Sequence, residues 1–108
     1  MTGTAKQIAW AEQIKDEALR NCQNMINLDH QRATEYADRN SESNEAAAKI
    51  MYRILTVIFA KHDDAAWIID HRGALSMSGW NGQVSRWAEM IRRGEKTAEQ
   101  IAQQNGLK

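Results

Sequence analysis

Apolar residues recur at steps of three and four from the first residues of this chain. Ile8, Ala11, Ile14, Ala18, Cys22, Met25, Ala33, Tyr36 and Ala37 fall on one stripe, the signature of an amphipathic helix. Thr4 and Gln7 stand three apart at its start, a capping box in which each side chain satisfies the other's free backbone N–H. Asp29 interrupts the stripe. Either one long helix runs to about Asn40 with Asp29 facing a polar partner, or it breaks near Asn27–Asp29; the regular spacing on both sides favours the single helix. Asn40–Asn44, with Ser41 and Ser43, reads as a polar turn whose serines cap a second helix, from about Glu45 to Lys61. There Ala47, Ile50, Met51, Ile54, Leu55, Val57 and Ile58 cover most of the circumference, so this helix is expected to be the most buried element.

Asp63 or Asp64 is placed to cap a short third helix that holds Ala65 to Ile69 and stops at Gly73. Gly73 to Gly82 reads as a glycine-rich loop. Val84, Trp87, Ala88 and Ile91 then trace a further helical face ending at Gly94, and Thr97 with Gln100 opens a last capped helix that stops at Asn105–Gly106. No alternating pattern suggests a strand. The expected fold is all-α, a compact bundle of four to five helices with one Gly-rich loop, forming a single helical domain over residues 1–108.

Composition agrees: there is no proline, 43% of residues are hydrophobic and 26% charged, the balance of a chain with a core. Net charge is zero but unevenly spread, with five bases and eight acids from Met1 to Glu45 against nine bases and six acids beyond. That argues against bulk electrostatic binding of nucleic acid and leaves room for a basic patch in the second half. No secretory signal is visible, and the apolar run from Ile54 to Ala60 is far short of the ~20 residues that span a bilayer. A cytoplasmic protein is expected.

Catalytic chemistry finds little to stand on. No two of His30, His62 and His71 have the helical spacing of a zinc pair, and Asp63, Asp64 and Asp70 serve more simply as caps and ion-pair partners. Cys22 lies on an apolar stripe, and no nucleophile elbow or phosphate loop is present. The expectation is a non-enzymatic chain without metal or cofactor. Trp10, Trp67 and Trp87 read as packing residues. Trp80, between Gly79 and Asn81–Gly82, is either a lid folded onto the core or an exposed anchor for a partner.

The candidate partner-contacting residues are accordingly Trp80 and Asn81 of the loop, Glu12, Asp16, Glu35 and Asp38 of an acidic set, and Arg86 and Arg93 of a basic one. Lys96–Leu107 is similar to the front of a helix-turn-helix, but the sequence stops at Lys108, before a recognition helix.

Lys6-Gln7-Ile8-Ala9-Trp10-Ala11, taken with Trp67-Ile68-Ile69-Asp70-His71-Arg72, resembles the Lys-Gln-Ile-x-Trp-Ala … Trp-Ile-Asp-x-Arg pattern of small phage and mobile-element proteins. The resemblance covers under a fifth of the chain. It implies two facing helix surfaces, with Trp10 and Ile14 against Trp67 and Ile68 and with Lys6 or Arg72 pairing Asp70. It also implies a setting: a small protein that binds a macromolecule of the bacterial host, foremost a defence nuclease in the manner of an anti-CRISPR protein. The alternatives are a nucleic-acid-binding accessory and a structural helical dimer.

Overall fold

The computed structural model describes residues 1–107, and the described residues form six helices. These are α1 (Ala5–Tyr36), α2 (Arg39–Lys61), α3 (Ala65–Asp70), α4 (Arg72–Leu75), α5 (Met77–Arg92) and α6 (Ala98–Gln104). The only strand-like feature among them is an isolated parallel bridge between Thr2 and Asp64. The fold is all-α, and no described helix is long and apolar enough to cross a membrane.

Helix α1 is continuous through Asp29, opened by the Thr4–Gln7 capping box. It buries only Ala11, Ala18, Cys22, Ile26 and Asp29, a narrow stripe on a helix that packs chiefly on α2 and next on α3. The apolar pattern therefore outruns the contact: Tyr36, on the extrapolated stripe, is 75% exposed. Close approach to α2 is set by Ala47 and Ala48, both fully buried, since small side chains let two helix axes draw together. Cys22 faces them and donates from Sγ to the Ala48 carbonyl at 3.3 Å. Burial pushes its thiol up to about 11, so it behaves as a small apolar residue and not as a nucleophile.

The reversal between α1 and α2 takes two residues. Ala37 adopts the left-handed conformation (φ 50°, ψ 37°), and Asp38 is the N-cap of α2, accepting from the Asn40 N–H at 2.9 Å and the Ser41 hydroxyl at 3.0 Å. Asn40–Asn44 is thus helix, not a turn. Ser41 and Ser43 are buried on its inner face, because an aspartate three residues before Ser41 provides the cap that the serines were expected to supply. As expected, α2 buries more side chains than any other described helix, down to Leu55 and Phe59. Val57 is the exception, at 51% exposure.

The expected Gly73–Gly82 loop is helical. After Asp64 caps α3 through the Ala66 N–H (3.1 Å), the chain bends at His71 and winds α4, so Gly73 lies inside a helix and does not end one. A second bend at Ser76 starts α5, the Ser76 carbonyl accepting from Gly79 and Trp80 at 2.9 and 3.2 Å. Gly79 permits this corner: a Cβ there would stand 2.2 Å from the Gly73 carbonyl oxygen. Trp80 follows directly and is 4% exposed, its indole N–H donating to the Leu75 carbonyl at 2.9 Å. Of the two readings of Trp80, the exposed anchor is overturned: the ring is a core side chain, continuous with Val84, Trp87 and Ala88 on α5.

Candidate binding surfaces

The two segments of the sequence resemblance meet at one end of the molecule. Thr2 begins the junction: its N–H donates to the Asp63 carbonyl (3.3 Å) and its carbonyl accepts from Ala65 (2.9 Å), which draws the start of α1 against α3. Ala65 and Ile68, fully buried, make the α3 side of the contact. The exposed side chains pair differently from expectation. Arg72 stacks its guanidinium 5.2 Å from the centre of the Trp10 ring and donates to the Ile69 carbonyl at 2.8 Å. Asp70 makes no ion pair among the described residues. Trp10 itself stays 47% exposed, against the expectation of a packed residue.

Trp67, half-buried, lies between two imidazoles. His62 stacks on one face (3.8 Å between centres, 3° between planes) and His71 on the other (4.0 Å, 19°). His71 is fixed by its position one turn after Trp67 and by a 2.7 Å hydrogen bond from Nδ1 to the Trp67 carbonyl, which assigns the proton to that nitrogen. The i, i+4 spacing of Trp67 and His71 was visible in the sequence. The approach of His62 was not, because it depends on how the α2–α3 link turns. Lys6, exposed on the first turn of α1, stands one turn before Trp10, whose ring Arg72 covers. Beside it runs a groove of about 370 Å³ between α1 and α4, lined by Trp10, Ile14, Glu17, Asn21, Arg72 and Ser76.

The charged candidates do not assemble into one site. Glu12 and Asp16 are exposed one turn apart on α1, while Glu35 lies 23 residues beyond Glu12, about 35 Å along the helix at 1.5 Å per residue. Asp38 is occupied as a cap. The Ser41 hydroxyl, foremost, and the Asn40 N–H hold its carboxyl below the usual range. On α5, Asn81 is exposed, Arg86 donates to Gln83 at 3.3 Å, and Arg93 pairs with Glu89 at 2.8 Å. Arg92 pairs with the same Glu89 and donates to Asn40 at 3.0 Å. Glu89 thus neutralises much of the anticipated basic patch.

A second polar cluster, unanticipated, sits where α1 leaves α2. Glu45 accepts from His30 Nδ1 at 2.9 Å and pairs with Lys49 at 3.2 Å. Burial raises its carboxyl, but the His30 and Lys49 contacts outweigh that and hold it below the ordinary value. Asp29, 7% exposed, moves the opposite way: burial is the main cause, Glu45 and Asp38 add to it, and Arg32 opposes. No group of three His, Cys, Asp or Glu side chains placed to hold a metal ion is found among the described residues. Comparison with known protein families, characterised proteins and solved structures finds no match to this chain.

Proposed function

We propose that this chain is a small, non-enzymatic binding protein of a phage or mobile element that acts in the bacterial cytoplasm by occupying a host macromolecule. The target is a defence nuclease, engaged in the manner of an anti-CRISPR protein. The observation that carries this reading is the Trp10–Arg72 pair: the residues behind the resemblance to phage proteins converge, and they leave a half-exposed tryptophan and an arginine on the surface. Those two residue types dominate the energetics of protein interfaces, because each covers a large area with few side-chain torsions to freeze or with a planar, bidentate donor. The test is a cleavage assay with purified RNA-guided nucleases. Stoichiometric loss of cleavage, relieved by Trp10→Ala and Arg72→Ala in folded protein, supports the reading. Full cleavage across the panel at excess protein rejects it.

One observation favours the second reading, a nucleic-acid accessory: the stacked rings of His62, Trp67 and His71 are of the kind on which the bases of single strands stack. That reading requires affinity for an oligonucleotide by itself, falling steeply with salt. The inhibitor reading requires none.

A further inference from the structure

Helix α1 carries a second seam. Trp10, Ile14, Glu17, Asn21 and Leu28 follow at steps of four, three, four and seven, the spacing of the contact positions in a coiled coil, and Glu35 extends the series by another seven. At 100° per residue this seam lies roughly 110° around the helix from the buried stripe, so it faces sideways, with Ile14 and Asn21 half-buried at the edge of the bundle. Its two large apolar ends, Trp10 and Leu28, are each 47% exposed. Its N-terminal half forms one wall of the groove beside α4.

We propose that this seam binds a second copy of the chain, α1 against α1, in an antiparallel two-fold pair. The order of residue types selects that partner and that direction. With the two-fold axis near residue 19, Trp10 opposes Leu28 of the second copy, and Ile14 opposes Asn24, the contact position between Asn21 and Leu28. Glu17 opposes Asn21, a carboxylate facing an amide donor, and the symmetry repeats each contact. A parallel pair would set Glu17 on Glu17 and Glu35 on Glu35, burying like charges together. At either end Lys6 approaches both Arg32 and Glu35 of the other copy, which adds little net attraction. The overlap of the two helices is about 43 Å long. Strips of that length about 10 Å wide, one on each copy, bury on the order of 900 Å² in all. That is close to the ~1,000 Å² lower bound of specific interfaces, so dissociation in the micromolar range is expected. The inference does not rest on the nuclease reading, but both use Trp10, so a second copy and a target compete for that ring.

The test is sedimentation equilibrium of the full chain from about 1 to about 300 µM, the range this area implies. The expected result is a mass rising from that of one chain towards two. Leu28→Glu, at an exposed position, should hold the protein at one chain throughout with its helical circular-dichroism spectrum unchanged. Direction is read by oxidative cross-linking: Trp10→Cys mixed with Leu28→Cys should form a covalent dimer that neither variant forms alone. A single-chain mass at the highest concentration overturns the proposal. So does cross-linking of Trp10→Cys with itself, or dimerisation untouched by Leu28→Glu.

Discussion

Replacing Gly79 by alanine separates two accounts of residues 73–82 by sign. Were the segment exposed and helical, alanine would stabilise it by about 1 kcal/mol, the ordinary penalty of glycine inside a helix. The structure gives the new Cβ no room: it would stand 2.2 Å from the Gly73 carbonyl oxygen and 2.8 Å from that of Ala74. These are backbone atoms at the α4–α5 corner, so relief requires the two helices to part over the buried Leu75 and Trp80. Overpacking of this kind costs about 1–3 kcal/mol, which reverses the propensity gain. Gly82, three residues on in the same helix, is the control: a Cβ there meets nothing within 4 Å. Thermal unfolding followed by circular dichroism reads both. A change of 1 kcal/mol moves the midpoint by about 4 °C in a domain of this size. Gly79→Ala should lower the midpoint by several degrees and Gly82→Ala should raise it by a few. If both raise it, the corner is not packed as described and the segment is an exposed helix in which Gly79 has room for a Cβ.

Trp80→Phe should destabilise the fold by about 2–4 kcal/mol, combining lost buried ring area with an unpaired Leu75 carbonyl, as measured by urea unfolding. Ala37→Gly should stabilise by up to about 1 kcal/mol, because glycine relieves the left-handed Cβ clash at a smaller entropic cost; the same unfolding curves check it. The raised carboxyl of Asp29 means that its ionisation is harder folded than unfolded. Asp29 therefore costs nothing below the unfolded carboxylate range, near pH 4, and reduces stability as pH climbs from there through its folded value. Asp29→Asn should raise the unfolding midpoint at pH 7 and leave it nearly unchanged at pH 3.5; an equal effect at both pH values would reject the electrostatic cause. Cys22 should resist thiol reagents in the native protein and react fully in urea, by colorimetric titration.

The helices were legible where a cap and a stripe agreed. Both Thr-x-x-Gln capping boxes appear as read, at Thr4 and Thr97, and α1 runs unbroken through Asp29. Two boundaries differ from the sequence expectation for one reason: residues with poor helix propensity lie inside helices there. Ser41 and Ser43 are carried by the Asp38 cap and are buried, and Gly79 is there because backbones cross. The periodicity of Trp80, Val84 and Trp87, at steps of four and three, was the available signal for α5 and was outweighed by the glycines around it. At the surface, the resemblance foretold that α1 and α3 meet. It did not foretell that Arg72 would choose the Trp10 ring over Asp70, since that depends on the bend at His71. The scattered charges were never a site by spacing alone, and α1's length keeps them apart.

One detail of the N-terminus bears on how α1 endures at all. A helix of 32 residues that sinks five side chains into its neighbours has little cohesion per turn and would fray inward from a loose end. It has no loose end. The two-residue reversal clamps it at Tyr36, and the bridge from Thr2 to residues 63–65 buckles it down at the other extremity. A strap fastened twice can leave its outward side unusually polar and still lie flat. Cutting the Thr2 buckle should therefore let hydrogen exchange run along the first turns of α1 while the α1–α2 reversal stays protected.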